Sequence, residues 1–168
     1  AIGLSLGAML IYIWIRFEWQ FSLGAIIALF HDIIITLGFF SLLNLEINLS
    51  IVAAVLTIVG YSMNDTVVIF DRVRENLKKY SSISIKEISD LSTNQTLSRT
   101  LITSVTTLLA LFSIFIFGGE ILKGFSFAMI IGVIIGTYSS IFVATPILNY
   151  TNVSQKTILK DSDNKENN

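Results

Sequence analysis

A chain of 168 residues with 53% hydrophobic and only 14% charged side chains, where an average soluble domain carries about 25% charged residues, is neither a disordered segment nor an ordinary water-soluble enzyme. Eleven Lys and Arg against twelve Asp and Glu give a net charge of -1, which leaves no electrostatic footprint for nucleic acid. With no cysteine and a single histidine, His31, thiol catalysis, disulfide frameworks and the common zinc or multi-histidine sites are excluded, and no cofactor or metal is expected.

Five apolar runs approach or exceed the roughly 17–25 residues that a helix needs to cross a bilayer. They are Ala1 to Ile15, cut short at its start, Phe21 to Leu43, Leu49 to Phe70, about Thr100 to Phe117, and Phe125 to Leu148. The runs are continuous and do not alternate in period two, so they read as helices and not as barrel strands. The predicted fold is an all-α polytopic membrane bundle.

Taken in chain order, the first run closes at Arg16, with Trp14, Phe17 and Trp19 around the turn as an interfacial aromatic belt. The second run holds His31 and Asp32 near its middle, and the third holds Asp65 within Gly60 to Val68. A cytoplasmic connection over Asp71 to Arg99 begins with a charged, solvated helix extension through Lys79. It continues with two capping-box patterns, Ser84 to Glu87 and Ser92 to Gln95. The first predicts a short helix over Ile85 to Leu91, and the second predicts the start of the fourth spanning helix, which places Arg99 inside it. In the last run Ala128, Gly132, Gly136, Ser140 and Ala144 recur every fourth residue, a spacing that lets another helix backbone approach closely. Pro146 marks a kink or an end, Tyr150 closes the span, and the polar tail from Thr151 to Asn168 is expected to be disordered.

The basic residues sort by side. Arg16, Arg72, Arg74, Lys78, Lys79, Lys86, Arg99, Lys156, Lys160 and Lys165 fall on one side and Lys123 alone on the other, so the first side and the C-terminus are predicted to be cytoplasmic. That arrangement puts Ala1 outside without an exporting signal, and the whole protein is expected to carry at least one more helix before it.

Ionisable groups within spans cost at least about 2.5–3.5 kcal/mol and tend to mark ion pathways. On a helix of 3.6 residues per turn, Tyr61, Asp65, Val68 and Arg72 share a face with Asn64 at its border, so Asn64 and Tyr61 are candidates to hydrogen-bond Asp65. On the next span Arg99, Thr103 and Thr107, with Thr106 alongside, form a polar stripe that begins at a permanent cation. A carboxylate that meets and leaves an arginine in a low dielectric can exchange a proton, so Asp65 and Arg99 are the candidate proton relay. A static ion pair, a snorkelling Arg99 and a helix-packing hydrogen bond between His31 and Asp32 are the structural alternatives. An aspartyl-protease dyad of Asp32 and Asp65 is the enzymatic one. The dyad is disfavoured because Asp32 lies nearer mid-membrane than Asp65.

The segments Gly60 to Asn76, Asn94 to Thr100, Phe117 to Glu120 and Gly136 to Phe142, with Arg16-Phe17-Glu18-Trp19 and Phe30-His31-Asp32, closely resemble the SecF family, membrane subunits of the bacterial protein-export accessory complex. The resemblance covers about Ala1 to Tyr150. It implies a half bundle of the resistance-nodulation-division (RND) type in the inner membrane, with one further helix and an extracytoplasmic domain before Ala1. It implies SecD and the SecYEG channel as partners, with YajC and YidC beyond them, exported preproteins as clients and the lipid bilayer as solvent. It also implies proton-driven assistance of translocation, with the family's membrane aspartate and arginine falling on Asp65 and Arg99. A passive scaffold without proton conduction and a small-molecule efflux role are the neighbouring possibilities.

Overall fold

The computed structural model describes residues 4, 7–8, 11–13, 15, 17–46, 48–80, 83–151 and 153. Most of the expected first span and nearly all of the tail after residue 150 lie outside them, although residues 4, 7–8, 11–13 and 15 are helical. The following helices are α1 (Trp19–Leu42), α2 (Leu49–Lys79), α3 (Ile85–Phe117) and α4 (Gly119–Ser139), the last passing through a π-helical turn, Ser140–Ala144, into α5 (Thr145–Tyr150). α1, α2, α3 and the continuous α4 to α5 rod are each long and apolar enough to span a bilayer, and no strand occurs among the described residues.

Local chemistry sets the ends. The Asn48 side chain accepts from the Ile51 amide and starts α2. The Ser84 and Glu87 box is formed in both directions and starts α3. Asn44, with φ 51°, turns the chain between α1 and α2, and Gly119, with φ 75°, turns it between α3 and α4. A left-handed backbone suits glycine and asparagine best.

The expected short helix and the second start at Ser92 do not occur. Ile85–Phe117 is one uninterrupted helix, because the Ser92 hydroxyl is buried inside it. There it donates to Ile88 O at 2.6 Å and accepts from Asn76 Nδ2 at 2.8 Å. Gln95 Oε1 accepts from Asn76 Nδ2 and from Arg72 Nε, at 3.0 and 2.7 Å. The pattern that resembles a cap is a polar clamp between the end of α2 and the start of α3.

α2 is the central helix, and its buried residues run along most of its length. α4 lies closest to it, since a side chain at Gly132 would collide with Ile58 and a Cβ at Gly136 would stand 2.9 Å from that of Ser62. Two apolar clusters fill the bundle. One gathers Phe17, Phe21, Phe70, Val73, Leu77 and Leu148 at the end bearing the α2 to α3 connection. The other gathers Phe40, Ile51, Ile58, Leu111, Ala128 and Val133 at the opposite end.

The α2 extension is not wholly solvated. Arg74 Nη2 donates to Glu18 Oε1 at 2.8 Å, the two side chains being 19% and 3% exposed, and the guanidinium lies 5.7 Å from the Phe17 ring centroid. Glu18→Gln is expected to destabilise the bundle by about 1–3 kcal/mol, since it leaves a half-buried cation without its counter-charge. The measurement is thermal unfolding in detergent. An unchanged midpoint would show that the pair contributes nothing.

Candidate functional site

Between the two apolar clusters α1, α2 and α4 with its π turn contribute polar side chains at the same level. Asp32 and Thr36 lie between Leu29 and Phe40 on α1, Ser62 and Thr66 between Ile58 and Phe70 on α2, and Ser139 and Ser140 between Val133 and Ala144 on α4 and its π turn. All six are buried. Asp32, 1% exposed, accepts from Ser62 Oγ at 2.5 Å through Oδ2, and His31 Nδ1 lies 3.1 Å from its Oδ1. Thr66 and Ser140 share a hydrogen bond of 2.8 Å, and Ser140 also donates to the Gly136 and Ser62 carbonyls. The result is a polar waist that joins three helices.

Asp65 stands on α2 one turn from Ser62, and like Thr36 in the waist it has a buried oxygen without a partner among the described residues, here Oδ2. The residue is 3% exposed. Burial of a polar atom without a partner is unusual enough to ask for a functional reason. Arg99 is near enough for its charge to act on this carboxylate, yet no salt bridge joins them among the described residues. Arg99 itself is exposed.

The other expected members are rearranged. Asn64 is exposed and makes no hydrogen bond to Asp65. Tyr61 Oη donates to Thr107 Oγ1 at 3.4 Å, which ties α2 to α3 instead. Thr103 donates backward to the Arg99 and Thr100 carbonyls. Asn64, Arg99 and Thr106 are exposed while Tyr61, Thr103 and Thr107 are half-buried, so the polar stripe borders an outer face of this chain. Gly132, Gly136 and Ser140 all pack on α2. Asp32 and Asp65 do not form a dyad: the Asp32 oxygens are engaged by Ser62 and His31.

Sequence reasoning passed over Ser62 and Thr66 and treated Ser140 only as a small residue. The signal available was the i, i+4 spacing of Ser62 and Thr66, one residue out of phase with the face chosen for Asp65. Near Pro146 the chain widens into the π turn, where Thr145 Oγ1 donates to Ser140 O at 2.9 Å. Single π turns of this kind are frequent at functional sites.

Comparison with known proteins gives consistent results. Residues 1–154 match the family model for the protein export membrane protein SecD/SecF, C-terminal. A protein translocase subunit SecF from Rhodothermus marinus is 60% identical over 157 residues, covering 88% of this chain and 51% of that protein. One from Cereibacter sphaeroides is 49% identical over 162 residues, covering 96% and 50%. The chain therefore spans about half the length of the curated relatives it matches. A crystal structure of SecDF from Thermus thermophilus, described as a translocon-associated membrane protein, superposes with TM-score 0.84 at 44% identity, over 88% of this chain and 21% of that one. SecDF in a super-membrane-facing form gives TM-score 0.82 at 42% identity, over 96% and 21%.

Proposed function

The chain belongs to the SecD/SecF family of protein export membrane proteins, and from that premise we propose that it is the membrane-spanning portion of a translocase subunit that uses proton movement to assist protein translocation. In this reading Asp65 carries the proton and Arg99 is its counter-charge. The observation that carries the reading is the Asp65 carboxylate, buried in a spanning helix with Oδ2 unpartnered among the described residues. Arg99 lies within electrostatic range, with no salt bridge between the two among the described residues. A small shift of α3 against α2 would make or break the pair and so decide whether the carboxylate keeps its proton. One charge moved through the membrane potential supplies roughly 2.3 kcal/mol per 100 mV, enough to bias a helix motion but requiring repeated cycles to move a polypeptide.

The proposed partner is SecD, with SecYEG as the channel served and YajC and YidC as further associates. What supports SecD is the exposed polar border of α2 and α3, bearing Asn64, Arg99 and Thr106, because polar and charged groups at membrane depth face protein or water and not lipid. His31, Asp32, Ser62, Thr66 and Ser140 are proposed to hold α1, α2 and the π turn in register around the relay. Gly132 and Gly136 set the distance between α2 and α4.

The proposed location is the bacterial inner membrane with the C-terminus cytoplasmic. The chain has no cysteine of its own, so single cysteines at the exposed positions Glu46 and Lys86 test the orientation. A membrane-impermeant thiol reagent added to spheroplasts is expected to label Glu46→Cys and spare Lys86→Cys, and the reverse pattern would invert the topology.

The test of the function is translocation of a preprotein into vesicles with and without a proton gradient, using complexes that carry Asp65→Asn at equal assembly. Equal stimulation of parent and variant would replace the proton relay with a passive scaffold.

A further inference from the structure

On the flank of α3 away from Arg99, a cleft of about 710 Å³ opens between the first turns of α3 and the wall formed by α4, the π turn and α5. Both walls change character at the same level. On α3, Ser89, Asp90, Thr93 and Asn94 line the mouth, and Leu97 and Leu101 lie deeper. On the other wall Asn149 lies at the mouth, and Phe142, Tyr138 and Ile134 are progressively deeper. The graded stretch from Asp90 to Leu101 is about 16 Å long at 1.5 Å per residue, which fits a molecule with a polar head and an apolar chain, lying parallel to the helices.

Two residues that line this cleft hold buried oxygens with no hydrogen-bond partner among the described residues. Ser89 is 2% exposed and its Oγ lacks a partner, as does the buried Asn149 Oδ1. The Asp90 carboxylate is the acceptor open at the mouth, and among the described residues no Lys or Arg lines the cleft. A headgroup that carries N–H donors and a positive charge complements this mouth, and an anionic headgroup without an ammonium does not. The Thr93 hydroxyl and Asn94 amide remain to donate to a phosphate. Deeper in, the exposed Tyr138 and Phe142 rings lie 4.9 Å apart and offer an apolar aromatic wall to an acyl chain.

We propose that this cleft is a binding site for a single phospholipid with a primary ammonium headgroup, the phosphatidylethanolamine class, seated in the leaflet that meets the start of α3. The headgroup ammonium rests on the Asp90 carboxylate, and one acyl chain runs along Leu97, Leu101 and Ile134. The site is independent of the proton relay, which lies on the other flank of α3.

The test uses the full-length protein, purified in mild detergent with whatever subunit accompanies it, and native mass spectrometry with added dioleoyl phosphatidylethanolamine, phosphatidylglycerol or phosphatidylcholine. The ethanolamine lipid is expected to be retained about tenfold more tightly than the other two, the ratio that one charge-assisted hydrogen bond of about 1.4 kcal/mol supplies. Asp90→Asn should erase that preference while leaving the protein folded, since Asp90 is exposed. Ile134→Trp, at a position 50% exposed, should lower retention of all three lipids by filling the cleft. Equal retention of the three lipids by the parent, or variants that retain the ethanolamine lipid as the parent does, overturns the proposal. A photo-crosslinker at Leu101 in native membranes gives the second reading. An adduct with phospholipid supports the site, and an adduct with another polypeptide assigns the cleft to a partner helix and overturns it.

Discussion

Asp65→Asn is expected to reduce gradient-stimulated translocation to the level seen when the proton gradient is collapsed, while the complex assembles in normal amount. The geometry explains why the two effects should separate. Among the described residues Asp65 Oδ2 accepts no hydrogen bond, so an amide of nearly the same size breaks no existing bond and keeps the packing. The variant removes only the ability to carry a proton. Asp65→Glu keeps a titratable group on a longer arm and should retain part of the stimulation. Arg99→Lys keeps the charge but loses the planar fork that holds a carboxylate through two bonds, and partial loss is expected there as well. The paired measurements are translocation into vesicles and the amount of complex recovered. Should Asp65→Asn match the parent at equal assembly, the proton relay fails.

The largest effect on assembly is expected at the contact between α2 and α4. A side chain at Gly132 would occupy the space of Ile58, and one at Gly136 would press on Ser62. Overpacking of this kind costs about 1–3 kcal/mol and sometimes more. Gly136→Leu carries a further cost, because moving Ser62 also breaks its hydrogen bond to the buried Asp32, and a buried polar group left unpaired costs about 1–3 kcal/mol again. The thermal midpoint in detergent should fall for Gly132→Leu and fall further for Gly136→Leu. Gly38→Ala is the internal control, since nothing lies within 4 Å of an added Cβ there. If the two leucine variants melt with the parent, the small-residue contact is not what holds these helices together.

Much of this architecture is legible in the residues themselves, for reasons of scale. A hydrophobic run long enough for a bilayer has few alternatives to a helix, so the spans emerge from counting. The exposed cap at Ser84 was equally readable, because capping is a local transaction between residues three apart. The same signature at Ser92 misled, since a buried hydroxyl with a partner on α2 obeys tertiary geometry and not local pattern. The polar waist was hidden for the same reason. Asp32 and Ser62 are 30 residues apart, and their meeting depends on how α1 and α2 are rotated about their own axes, which a single sequence does not encode in any short window. Arg74 shows the limit of charge patterning: its side of the membrane follows from its sign, but its burial against Glu18 and Phe17 does not.

The continuity of α3 has a mechanical meaning. Its 33 residues make a rod about 50 Å long, while the hydrocarbon core is about 30 Å thick, so roughly two-fifths of the rod stands outside the hydrocarbon. With no break at Ser92 the rod tilts as one piece, and a tilt about the Tyr61 to Thr107 contact with α2 requires release of the clamp that Asn76 and Arg72 make on Ser92 and Gln95. Ile85 lies 22 residues from Thr107, an arm of about 33 Å, and a tilt of about 10° about that point sweeps the far end through about 6 Å. Arg99, 8 residues from Thr107, moves through only about 2 Å. A displacement at Arg99 on the scale of one hydrogen bond is thereby magnified about threefold at the end of the rod, and a push on that end is returned to Arg99 with the force multiplied by the same ratio.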